Sequence, residues 1–109
     1  MSDTDLSPEQ VEAMRGDAQL VDVREDYEWE KGRIEGARHI ALGEVAAAAQ
    51  SIDRERPVVF YCRTGARSGM ATQAFRKAGY DAYNMAGGLE RWAGEGRPLE
   101  PADGTVASH

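Results

Sequence analysis

Four short apolar runs punctuate the chain, and a stretch with helical character follows each of them. Residues 19–24 are β-branched-rich and have the length of a strand. Residues 37–40 form a second, shorter run. Residues 58–61, Val58-Val59-Phe60-Tyr61, are apolar throughout, the pattern of a strand buried on both faces. Residues 80–85 complete the set.

Between them the pattern changes to helices. Ser7-Pro8-Glu9-Gln10 reads as a capped helix start, with Ser7 as cap, Pro8 in the first turn and Gln10 placed to reach back. A short helical turn over 27–31 is closed by Gly32. Residues 42–52 carry an alanine run whose propensity predicts one helix. In 68–78, Met70, Ala71, Ala74, Phe75 and Ala78 fall on one helical face, and Gly79 ends the pattern. Leu89 to Ala93 is a last short helix with Trp92. Residues 1–6 are expected to fray, and the stretch after Gly94, poor in apolar residues, to be a loose tail.

Strands alternating with helices predict an α/β fold with a mostly parallel sheet. Ligands in such sheets bind at the carboxyl ends of strands. Asp22-Val23-Arg24, Cys62 and Met85-Ala86-Gly87-Gly88 all lie at such ends, so three separated segments converge on one rim.

Composition narrows the function. A chain of 109 residues has room for one modest core, hence a single domain. Its net charge of −6 argues against nucleic acid as a partner. No apolar run approaches a membrane span, and the acidic N-terminus is not a secretory signal, so the expected location is cytoplasmic. One cysteine excludes an internal disulfide, and with only two histidines the usual zinc ligand sets are out of reach.

That cysteine, Cys62, ends the third strand and opens the loop Arg63-Thr64-Gly65-Ala66-Arg67-Ser68. A thiol reacts as its thiolate. The following helix start, a glycine-containing nest of N–H groups and two arginines all favour that anion. A cysteine in isolation is as readily a small buried hydrophobe. Two arginines beside it are not what an apolar slot recruits.

These segments resemble the single-domain rhodaneses, a sulfurtransferase family. The matching pieces are Leu20-Val21-Asp22-Val23-Arg24-Glu25, Gly32-Arg33-Ile34-Glu35-Gly36-Ala37, Val59 through Ser68, and Met85-Ala86-Gly87-Gly88-Leu89-Glu90-Arg91-Trp92. They occur in the family's order and span residues from about 5 to 98 of a single domain, with 99–109 as a tail. The resemblance implies a three-layer domain with a central, mostly parallel five-stranded sheet and helices on both faces. It implies that Cys62 takes a sulfane sulfur from thiosulfate or a persulfide donor and passes it, as a persulfide, to cyanide or a thiol. A sulfur-relay protein is a further possible partner, and the expected state is a monomer or weak homodimer. No metal or organic cofactor is implied.

By the same resemblance, residues 63–68 hold the sulfur, with Arg67 binding an anionic donor or orienting the loop. A salt bridge to a nearby acid is the alternative for Arg67. Arg63 is expected to face the mouth, and the Thr64 and Ser68 hydroxyls to be available to the sulfur. Asp22 and Arg24 are expected to brace the loop. Four residues separate Cys62 from Arg67. The related phosphatases and arsenate reductases use a loop one residue longer, so this nest suits sulfur better than phosphate. One departure stands out: Arg33 occupies a position where the family usually has histidine, and His39 one where it often has asparagine. Two other functions compete, a non-catalytic interaction module and a redox-sensing thiol.

Overall fold

The structure is a computed structural model and describes residues 3–108. Five strands, β1 (Asp5–Leu6), β2 (Gln19–Asp22), β3 (Arg38–His39), β4 (Val58–Tyr61) and β5 (Ala82–Met85), form one sheet in the order β1-β5-β4-β2-β3. Every pairing is parallel. β4 lies at the centre, and its residues are all buried.

Helices cover both faces, because a parallel sheet is apolar on both sides. α3 (Leu42–Val45) and α4 (Ala66–Lys77) lie over the side where Val45, Ala71 and Phe75 meet Val58, Phe60 and Cys62. α1 (Pro8–Ala13) and α5 (Gly88–Gly94) lie over the other, where Val11, Leu89 and Trp92 meet Val59, Tyr61 and Met85. The alternation along β4 thus assigns Cys62 to the α4 side, two residues beyond Phe60. α2 (Asp26–Lys31) follows β2 at the rim. The three-layer architecture is the expected one.

The Ser7 cap has the anticipated form: Gln10 N–H donates to the Ser7 hydroxyl at 3.1 Å, and Ser7 N–H to the Gln10 side chain at 2.8 Å. Five expectations need correction. Residues 5–6 are not frayed but pair with β5, and Asn84 N–H donates to the Thr4 carbonyl at 2.8 Å. Met1 and Ser2 lie outside the described residues. The single helix expected over 42–52 is divided: α3 ends at Val45 and only a 3-10 turn, Ala49–Ser51, follows. Alanine propensity is weak against local competition, and here the Ser51 hydroxyl donates back to the Ala48 carbonyl at 2.6 Å.

The buried face of α4 also differs. It comprises Ser68, Ala71, Thr72 and Phe75, while Met70 is 65% exposed and Ala74 and Ala78 face outward. Two hydroxyls take the place of apolar side chains on that face, and both are satisfied by hydrogen bonds.

The tail is not loose. Leu99 and Val106 pack on the α1/α5 core, and Trp92 Nε1–H donates to the Pro98 carbonyl at 2.8 Å. Arg33 and Glu100 exchange backbone bonds of 3.0 and 2.7 Å, and Thr105 N–H donates to the Lys31 carbonyl at 2.8 Å. Gly32 has an extended backbone, so its glycine is not needed to end α2. A Cβ there would stand 2.5 Å from the Thr105 carbonyl oxygen, and that approach is what requires glycine.

Candidate active site

β4 delivers Cys62 to the carboxyl rim and α4 starts four residues later, so the chain must turn tightly over residues 62–65. The turn is held from outside by its carbonyls. Leu89 N–H donates to the Cys62 carbonyl at 2.8 Å and Glu90 N–H to that of Arg63 at 3.0 Å. Asn84 Nδ2 donates to the Gly65 carbonyl at 3.2 Å. With those carbonyls drawn outward, the loop's N–H groups turn inward on the sulfur. Gly65 N–H reaches Cys62 Sγ at 3.1 Å and Ser68 N–H reaches it at 3.4 Å.

Gly65, Gly87 and Gly88 all hold positive φ, as backbone-permissive positions should. At Gly88 a second demand is added: a Cβ would lie 2.4 Å from the Arg63 carbonyl oxygen. The α5 start can therefore grip the loop only because residue 88 has no side chain.

Cys62 is 1% exposed. Burial acts against ionisation of the thiol, and the Ser68 hydroxyl with the N–H groups of Ser68, Gly65 and Thr64 act for it. The donors prevail, and the Cys62 pKa lies below the ordinary thiol value. The Ser68 hydroxyl has a single proton and two acceptors, Cys62 Sγ at 3.3 Å and Asn84 Oδ1 at 2.5 Å. One proton is shared between two acceptors, so the Gly65 and Ser68 N–H groups are the donors with no second claim on them. Thr64 acts on Cys62 through its backbone rather than its hydroxyl. Ala66 is exposed and contributes the first turn of α4.

Both loop arginines are paired with carboxylates. Arg67 meets Glu28 fork to fork at 2.7 and 2.9 Å, and Glu28 is completely buried. Burial acts against the Glu28 charge, but Arg67 and the Glu25 N–H outweigh it and hold the Glu28 pKa below its ordinary value. The same bond, as the largest influence, raises the pKa of Arg67. Arg63 pairs at 3.0 Å with Glu90, whose side chain is 56% exposed.

Asp22 and Arg24 are both completely buried, joined at 2.7 Å, with Arg24 Nη2 also donating to the Gly32 carbonyl at 2.7 Å. Their hydrogen bonds hold the β2 end to Gly32, the residue after α2. The direct braces are Glu28 and Asn84, which the sequence reading passed over. A signal existed for each. Glu28 stands three residues after Glu25, the spacing of a reciprocal cap, and Asn84 is a poor strand former inside an apolar strand. Arg33, in place of the family's histidine, lies 4.8 Å over the Trp29 ring and donates to the Trp29 carbonyl at 3.0 Å. His39 stacks on the same ring and has Nε2 at 2.7 Å from the Arg24 carbonyl, a packing role.

A parallel α/β domain with a thiolate cradle at a strand end is thereby defined. The profile of the rhodanese-like domain family matches residues 7–95, and the chain belongs to that family. It is 38% identical over 107 residues to the thiosulfate sulfurtransferase GlpE of Pseudomonas aeruginosa, spanning 94% of each chain. It is 42% identical over 91 residues to YqhL of Bacillus subtilis, named as an uncharacterized protein, spanning 83% of this chain and 72% of that one. The crystal structure of a rhodanese-related protein from Thermoplasma volcanium superposes with a TM-score of 0.83 at 23% identity, covering 87% of this chain and 95% of that one, which shows the shared fold. By relationship the chain is an enzyme of the sulfurtransferase type.

Proposed function

We propose that this protein moves a sulfane sulfur from thiosulfate or a persulfide donor to a thiophilic acceptor through a persulfide on Cys62. One observation carries the reading: the Gly65 and Ser68 N–H groups converge on Sγ at 3.1 and 3.4 Å. Such a nest stabilises a thiolate before substrate arrives, so no general base is required.

The Cys62 thiolate attacks the outer sulfur of the donor. A bond forms between Sγ and that sulfur, the donor's own S–S bond breaks, and sulfite leaves with its electron pair when thiosulfate is the donor. The product is a Cys62 persulfide anion, held by the N–H groups of the 63–68 loop where its charge sits. Cyanide or a thiol then attacks the outer sulfur and returns the thiolate. The acceptor thiol belongs to a small molecule or to a sulfur-relay protein.

Arg67 orients the loop through Glu28, and Asp22 with Arg24 supports the adjoining rim. The reading takes the chain as one domain whose tail is part of its packing, given Leu99 and Val106 packed against the core. Each donor to Cys62 comes from the same chain, so a monomer suffices. A lone reduced thiol suits the cytoplasm. Among the described residues no helix is long and apolar enough to cross a membrane.

The test is thiosulfate:cyanide sulfurtransferase activity with intact-mass analysis. Wild type is expected to gain one sulfur from thiosulfate and lose it to cyanide, and Cys62→Ser to do neither. A wild type that acquires no sulfur from thiosulfate or any persulfide donor overturns the reading.

A further inference from the structure

We infer that Glu90 sets the enzyme's selectivity for donor charge by competing with anionic donors for Arg63. The inference rests on the sulfur-transfer reading and concerns the charge of the donor accepted at the same site.

The two loop cations are held in different ways. Arg67 is bound by two parallel bonds to a carboxylate with no exposure, a pairing whose rupture would strand a buried charge. It is not free to follow a substrate. Arg63 is bound by one contact of 3.0 Å to a carboxylate more than half in water, and its own side chain is 29% exposed. Exposed pairs of this kind are worth little and exchange partners readily. Arg63 is also the residue directly after the nucleophile. It is therefore the loop cation able to turn to a sulfonate or other anionic head as the donor enters.

Glu90 is fixed opposite it by the backbone. Its N–H donates to the Arg63 carbonyl at 3.0 Å, so its backbone is held beside that of Arg63 and its carboxylate within reach of the guanidinium. An anion approaching the mouth meets an arginine already neutralised and must displace a carboxylate. That cost grows with the donor's charge. A dianion gains most from a freed Arg63 and is repelled most by Glu90.

Two probes isolate the effect. Thiosulfate and methanethiosulfonate present the same outer sulfur on a sulfonyl sulfur but carry two charges and one. In each case Sγ bonds to the outer sulfur, the S–S bond breaks, and sulfite or methanesulfinate leaves with the pair. Glu90→Gln keeps the shape and the backbone bond while removing the charge. The KM for thiosulfate is expected to fall by about fivefold, the change a pair of unit charges about 4 Å apart makes in the dielectric of water. The fall for methanethiosulfonate should be smaller, kcat should be unchanged with both donors, and the thiosulfate effect should fade in high salt.

Arg63→Met should raise the thiosulfate KM, and in Arg63→Met/Glu90→Gln the effect of the second substitution should vanish. An unchanged thiosulfate KM in Glu90→Gln, an equal fall for both donors, or an Arg63→Met variant with wild-type KM overturns the inference. A fall in kcat with both donors reassigns Glu90 to loop positioning and overturns it as well. Wild type that takes sulfur from neither probe removes the transfer reaction itself, and the mass spectrum separates that result from the others.

Discussion

The guanidinium of Arg67 and the carboxylate of Glu28 meet in two parallel bonds, 2.7 and 2.9 Å long, across 39 residues of sequence. The pair ties the first turn of α4, which supplies the Ser68 N–H to the sulfur, to the first turn of α2. Arg67→Ala would leave Glu28 buried without its partner. The expected cost is about 3 kcal/mol of stability. Activity should suffer mainly in kcat, because the loop loses its brace while the more exposed Arg63 remains. Urea unfolding and steady-state kinetics with thiosulfate check both. A stable variant with only KM raised would make Arg67 a donor-binding residue instead.

The same pair gives stability an acid limb. The Glu28 pKa is lower in the fold than its ordinary value of 4.5. A carboxylate depressed by folding contributes fully above the unfolded pKa, and the contribution is lost as pH falls through the folded one. The stability gap between wild type and Glu28→Gln should therefore be constant near neutrality and close below about pH 4, by the ordinary carboxylate range. Denaturant melts at a series of pH values measure the gap. A gap that persists unchanged to pH 2 would detach it from the charge of Glu28.

Much of this arrangement was legible in the sequence. The strand ending in Cys62 and the loop after it were readable because both depend on neighbours in the chain: an unbroken apolar run, then a glycine and a helix start. The rim was readable because parallel sheets bring strand ends together. Glu28 and Asn84 were not, since each acts on the loop from a different element, and a cap spacing or a poor strand former does not say what the side chain touches. Met70 misled for the converse reason. It fits an apolar face by spacing, but the face turned to the sheet is the one carrying Ser68 and Thr72 beside Ala71 and Phe75. The tail was misread because its two apolar anchors, Leu99 and Val106, are too far apart to make a pattern.

The division of labour at the sulfur yields a prediction about Ser68. Its hydroxyl has one proton for two acceptors, Asn84 Oδ1 at 2.5 Å and Sγ at 3.3 Å. Ser68→Ala removes that hydroxyl but leaves the Ser68 and Gly65 N–H groups. The pH midpoint of Cys62 alkylation in wild type should lie below the free-thiol value of about 8.5. In the variant it should rise, by less than about one pH unit, and stay below that value, since one modest hydrogen bond is worth roughly 1 kcal/mol. Lower pKa means more thiolate at a given pH, so wild-type activity should persist to lower pH than the variant's. A midpoint at or above the free-thiol value in Ser68→Ala would make the hydroxyl, not the backbone, the principal donor.

Gly32 separates the stability of the fold from the chemistry of the site. A Cβ at this position would lie 2.5 Å from the Thr105 carbonyl oxygen and 2.9 Å from its nitrogen, both backbone atoms that cannot swing aside. Gly32→Ala must push the tail away and expose part of Leu99 and Val106, for a loss of roughly 2 kcal/mol at the usual value of buried apolar surface. The donors to Sγ come from residues 64, 65 and 68, and Cys62 packs on the α4 side of the sheet while Leu99 and Val106 pack on the α1/α5 side. The melting temperature should fall while the alkylation midpoint of Cys62 stays at its wild-type value, and limited proteolysis should cut after about residue 98. A truncation of 99–109 should reproduce both effects. If Gly32→Ala shifts the Cys62 midpoint, the tail is coupled to the sulfur site through the Arg24 bond to the Gly32 carbonyl, and the two parts of the protein are not independent.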